Sequence, residues 1–169
     1  SNKSQDLIRS AADARDQKQS ALDLAEQRKQ VAQVLSTLVE SLTSGYSRES
    51  SPEALDAKLR AAISKIDSGA LSGDIDAEIL LRGRIRATLR ERGMTKDALV
   101  QGMKHLELVS AKHGPRSRRA ASSLIFLTSI YDDLGDYPAA ENAARQAIEI
   151  DLSLKEPGTT PNSGYLANL

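Results

Sequence analysis

Residues 121–152 read ASSLIFLTSIYDDLGDYPAAENAARQAIEIDL. Two apolar patterns of helical period flank the turn Gly135-Asp136-Tyr137-Pro138. The first holds Leu124, Leu127, Ile130, Tyr131 and Leu134; the second holds Ala140, Ala143, Ala144, Ala147, Ile148 and Ile150. Small residues on the second helix let the first approach closely, and the larger side chains fill the space between them. Such a pair cannot bury both of its faces alone and is expected to stack on copies of itself.

A copy precedes it. At a shift of 42 residues Ile79 falls on Ala121, Ile85 on Leu127, Leu89 on Tyr131 and Gly93 on Gly135. Ala98 then falls on Ala140, Leu106 on Ile148 and Pro115 on Pro157. A further shift of 42 sets Leu166 under Leu124 and Leu169 under Leu127. The expected repeats are therefore 79–120, 121–162 and a partial 163–169, within a region spanning 75–169. An end halfway through a helix pair predicts that more repeats follow, or that the last helix is disordered or completed by a neighbour. The predicted class is all-α, an α-solenoid of antiparallel helix pairs.

Composition agrees with that class. The chain is 40% hydrophobic but only 3% aromatic, with one Phe and no Trp, so its core must be built from Leu, Ile, Val and Ala. Net charge is zero, which by itself argues for neither nucleic acid nor a membrane surface. Absence of cysteine removes disulfides and thiolate ligands. No apolar run approaches the roughly 20 residues that span a bilayer, and no signal-peptide pattern opens the chain. Ser1-Asn2 reads as a cloning remnant, and the chain as a piece of something longer.

Upstream of the repeats, one long helix is expected from Ser4 to Leu42, within a segment 1–46. Its seam runs through Leu7, Ala11, Ala14, Lys18, Ala21, Ala25, Arg28, Ala32, Leu35, Val39 and Leu42 at alternating spacings of four and three, the spacing of a coiled coil. Val31, Val34, Leu35, Leu38, Val39 and Leu42 should pack on the repeats. Two readings stay open: an exposed connecting helix with a docked end, or a homodimer through residues 7–42. Residues 47–74 carry a short helix with connecting loops. Ser51-Pro52 starts that helix, which buries Leu55, Leu59, Ala62, Ile63 and Ile66 and stops at Ser68-Gly69.

The repeat pattern resembles the tetratricopeptide repeat, whose usual period is about 34 residues; the 42-residue form is similar to that of kinesin light chains. The order of the whole chain is an Ala/Glu/Arg/Gln helix running into AEQRKQVAQVLSTLVESL, then SPEALDAKLRAAISKI, then repeats. It resembles the region after the kinase domain and membrane helix of bacterial serine/threonine kinases with C-terminal repeat arrays. That resemblance implies a non-enzymatic sensor or docking region for a protein or peptide, with any membrane attachment lying outside this chain. Its location would be the bacterial cytoplasm, or extracytoplasmic if it follows a membrane helix. Arg82 and Arg86 depart from the family pattern, and His105 stands where the second repeat has Ala147, so the first repeat is a worn copy.

Charge is unevenly placed. Residues 79–120 hold eleven Lys/Arg against three Asp/Glu, a net +8, while residues 121–169 hold two against seven. Arg82, Arg86 and Arg90 recur every four residues on one helix face; Arg116, Arg118 and Arg119 cluster at a helix start. They either pair with Asp74, Asp76, Glu78, Asp132, Asp133 and Asp136 on neighbouring helices, or receive an acidic partner or phosphate. Nucleic acid is not indicated, since neither a recognition helix nor stacking aromatics accompany the charge.

By repeat register the groove-facing residues are Leu80, Gly83, Ala87, Ser122, Ile125, Ser129 and Asn168. Only Asn168 suits a carboxylate clamp, so an extended or helical peptide held by Leu80 and Ile125 is the expected ligand. No cofactor or metal is expected. His105 and His113 lie eight apart without carboxylates at ligand spacing, and no phosphate loop or nucleophile elbow occurs.

Overall fold

The computed structural model describes residues 2–43 and 51–155, with side chains of 39–43 excluded. Among the described residues the chain is all-α. Its six helices are α1 Asn2–Thr43, α2 Pro52–Asp67, α3 Ile75–Glu91, α4 Thr95–His113, α5 Arg118–Asp133 and α6 Tyr137–Ser153. The loop 44–50, the partial repeat 163–169 and Asn168 lie outside the described residues. The chain divides into two compact units, Ser1–Asp74 and Ile75–Leu169.

In the first unit the end of α1 packs on α2. Val34 and Leu38 of α1 are buried, as are Leu55, Leu59, Ala62 and Ile66 of α2. Val31 and Leu35 are half-buried, and Ala32 is exposed. Gln27 Nε2 donates to the Ser72 carbonyl at 3.2 Å, a second tie within the unit. The rest of α1 is solvated: every side chain from Asn2 to Glu26 is exposed. Ser51 caps α2, its hydroxyl accepting from Ala54 N–H at 3.2 Å, and Pro52 takes a first-turn position that needs no donor.

In the second unit each helix packs on its neighbour in sequence: α3 on α4, α4 on α5, α5 on α6. Leu81, Ile85 and Leu89 of α3 are fully buried, spaced four apart. Ala98 and Val109 of α4 join Ala120, Ala121, Leu124, Leu127 and Ile130 of α5 in the core. Ala140, Ala143, Ala147 and Ile150 complete it from α6. The core is dominated by Leu, Ile and Ala, as the scarcity of aromatic residues requires.

The two turns 42 residues apart are built alike. Gly93 and Gly135 hold φ of 73° and 74°, a left-handed conformation open to glycine at little cost. Met94 N–H reaches back to the Leu89 carbonyl at 2.8 Å, and Gly93 N–H to that of Arg90 at 2.9 Å. Asp136 N–H bonds Tyr131 at 2.9 Å and Gly135 N–H bonds Asp132 at 2.9 Å in the same pattern. This double bond closes a helix by satisfying carbonyls that have no intrahelical partner. The two turns differ one step later. Asp136 Oδ1 accepts from Ala139 N–H at 3.2 Å and caps α6, whereas Met94, at the same place before α4, makes no side-chain cap.

Candidate functional site

Polar residues gather in the second unit where α3, α4 and α5 meet. Arg82 is 4% exposed. Its Nε donates to Glu78 Oε1 at 2.8 Å, and its Nη1 donates to Gln101 Oε1 at 2.7 Å. One turn on, the Arg86 guanidinium lies 4.0 Å over the ring of Phe126. Arg86 Nε and Nη1 are buried and have no hydrogen-bond partner. Loss of water lowers the pKa of this guanidinium to about 10, which leaves it charged at neutral pH.

Another turn on, Arg90 Nε donates to Asp133 Oδ2 at 2.6 Å and Arg90 Nη2 to Oδ1 at 3.3 Å, a two-point fork from α3 to α5. The Asp133 carboxylate holds Arg90 above its ordinary value, and Arg90 holds Asp133 below the usual carboxylate range. Lys112 pairs with Asp76, whose carboxyl is held low chiefly by that hydrogen bond.

His105 of α4 is buried beside this row. Its Nδ1 lies 3.1 Å from Ser123 Oγ, which is also 3.1 Å from the Arg119 carbonyl. When the single hydroxyl proton goes to that carbonyl, His105 Nδ1 is the donor to Ser123. Burial, and then the charge of Arg86, push the His105 pKa down to about 4, so the ring is neutral at pH 7. A Cβ added at Gly83 would stand 3.3 Å from His105 Nε2, and one at Gly102 only 2.8 Å from Leu127 Cδ2. Both glycines admit close packing across the helices.

The basic row is thus largely occupied internally. Arg90 has a carboxylate partner on another helix, Arg82 pairs with Glu78 of its own helix, and Arg86 is stacked with no partner for Nε and Nη1. Arg116, Arg118 and Arg119 are exposed, and Arg119 Nη1 lies 3.0 Å from His113 Nε2. Arg116 and Arg118 line an open depression of about 740 Å³ together with His113, Gly114, Pro115, Ser117 and Leu154.

The register-derived groove residues are scattered in character. Leu80 and Ser122 are exposed. Gly83, Ala87, Ile125 and Ser129 are half-buried, and Ile125 packs against the core of Ala121, Leu124 and Ala147. A second depression, about 640 Å³, lies elsewhere. It is lined from α4, α5 and α6 by residues including Val100, Met103, Leu106, Leu124, Leu127 and Tyr131, none of them a groove candidate. Val100 and Met103 are about half exposed on its rim, at 49% and 53%.

Sequence reasoning missed Gln101, Ser123 and Phe126 as partners. A signal was present in the sequence: at an offset of 42, Arg82, Gln101 and His105 fall on Leu124, Ala143 and Ala147, three buried residues. Polar residues at three positions matched to buried apolar ones should have suggested that they meet. Among the described residues no group of three or more His, Asp and Glu could hold a metal ion. No described helix is long and apolar enough to cross a membrane. No family model matches the chain, and no curated protein matches it.

Proposed function

We propose that the chain is a non-catalytic protein-interaction scaffold whose second unit consists of tetratricopeptide-like helix pairs in a solenoid arrangement. The observation that carries this reading is the repetition of one helix–turn–helix design at a spacing of 42 residues. The same glycine closes the first helix of each pair, at φ 73° and 74°, with the same pair of backbone hydrogen bonds. Stacked pairs of this kind make extended surfaces for peptides. Leu80, Val100 and Met103 supply exposed apolar side chains on those helices. The order of the segments supports a docking or sensor region of a bacterial signalling protein, such as a serine/threonine kinase.

The test is selection of peptides from a displayed library against the chain, followed by titration of the winners. Binding at micromolar Kd that is lost in Leu80→Glu, or in Val100→Glu/Met103→Glu, supports the reading and tells the two surfaces apart. Binders insensitive to all three substitutions, or none at all, would count against it.

A further inference from the structure

The solvated part of α1 carries large apolar side chains that none of the described residues of the first unit covers. Leu7, Ile8, Leu22 and Leu24 are 71%, 70%, 55% and 48% exposed. In the heptad frame set by the seam, with Leu7 at d and Ala11 at a, the four fall at d, e, e and g, on or beside the seam. The packing of α1 on α2 buries Val34 and Leu38 further along and leaves Arg28 and Ala32 exposed. An exposed apolar face of one helix, repeated over several turns, is a surface for another chain.

Charge decides which chain. Lys3, Arg15, Lys18, Arg28 and Lys29 all share that face, at g, e, a, d and e. Asp6, Asp13, Asp16, Asp23 and Glu26 all lie at b, c and f, on the other side. A second copy of α1, parallel or antiparallel, would therefore set cations against cations with no carboxylate in the seam to relieve them. Lys18 and Arg28, at core positions, would be desolvated without partners. The alanines at 11, 14, 21, 25 and 32 leave room that large side chains on an opposing helix would fill. Small alanines also bury too little apolar area for firm insertion into a bilayer interface.

We infer that the face of α1 from Leu7 to Ala32 docks an acidic amphipathic helix of a different protein, with large apolar residues opposite the alanines and carboxylates opposite Lys18 and Arg28. The inference concerns the first unit alone, so its failure is separate from failure of the repeat reading.

The test uses the full chain and a synthetic four-heptad helix with Leu at a and d, Glu in place of the two Leu that face Lys18 and Arg28, and Glu at e and g. A control peptide carries Lys in place of every Glu, and vesicles of phosphatidylcholine and phosphatidylserine provide an anionic surface. The chain alone should sediment as a monomer and bind the acidic peptide with a strong salt dependence. Lys18→Glu/Arg28→Glu should weaken that binding roughly tenfold or more and favour the Lys control; Leu22→Gln/Leu24→Gln should weaken it as well. These positions are exposed, and an unchanged circular dichroism spectrum verifies the fold. A dimer of the chain abolished by the same substitutions would overturn the inference. So would acidic-peptide binding that is absent or indifferent to charge reversal, or uptake onto the vesicles in preference to the peptide.

Discussion

The guanidinium of Arg86 stacks 4.0 Å above the ring of Phe126, with two of its nitrogens, Nε and Nη1, buried and without hydrogen-bond partners. A stacked cation recovers about 1–2 kcal/mol from the ring face. That is less than the several kcal/mol an uncompensated buried charge costs. Arg86→Leu is therefore expected to be neutral or stabilising, read as an unchanged or higher urea midpoint. Phe126→Ala is expected to lose about 2–4 kcal/mol through lost packing and stacking. A loss above about 2 kcal/mol in Arg86→Leu would show that the guanidinium has an acceptor in solution.

His105 makes stability depend on pH. Its folded pKa of about 4 lies below the ordinary value of 6.5, because burial and Arg86 disfavour the imidazolium. Between those values the unfolded chain binds a proton that the folded chain does not, so stability falls as pH drops from 6.5 to 4. The expected loss is about 2 kcal/mol, taken below the full shift because solvent at the site screens part of it. Asp76 and Asp133 are held below 3.8, so their contribution is lost only at lower pH. His105→Asn, whose side-chain amide stands in for the imidazole Nδ1 that meets Ser123, should flatten the urea midpoint between pH 7 and pH 5. An unchanged slope would remove His105 as its source.

Arg82 and Gln101 form a buried pair, and the residues 42 positions on are Leu124 and Ala143. Arg82→Ala strands Gln101 and leaves a cavity, and about 3 kcal/mol should be lost. Arg82→Leu/Gln101→Ala installs the residues found 42 positions on and should recover most of that loss. Denaturation of the three proteins decides it; a double variant as unstable as the single one would show that the two positions do not act together.

Met94 precedes α4 without a side-chain cap, at φ −82° and ψ 54°, close to the φ −86° and ψ 70° of Asp136, which caps α6. Met94→Asp is expected to add about 0.5–1 kcal/mol, and Asp136→Ala to remove about 1 kcal/mol. Thermal melts of both variants check the prediction. Destabilisation by Met94→Asp would mean that the Met94 side chain contributes packing worth more than the cap.

Helix ends were legible from the residues because their causes are local. Ser51-Pro52, Gly93 and Gly135 act through backbone conformation and bonds to residues within five positions, so their effects can be read off neighbouring letters. The likeness of the turns at Gly93 and Gly135 was legible for the same reason, since the same local decisions are made 42 positions apart. Tertiary structure decided what the arginines do. Arg90 finds Asp133 forty-three positions away, and Arg86 finds Phe126 on another helix. It also decided which end residues of α1 are buried: Val34 and Leu38 are, while Ala32 on the seam is not. Periodicity marks an apolar face, but burial follows from which neighbour arrives at it, and a long side chain takes whichever partner the packing of other helices brings within reach.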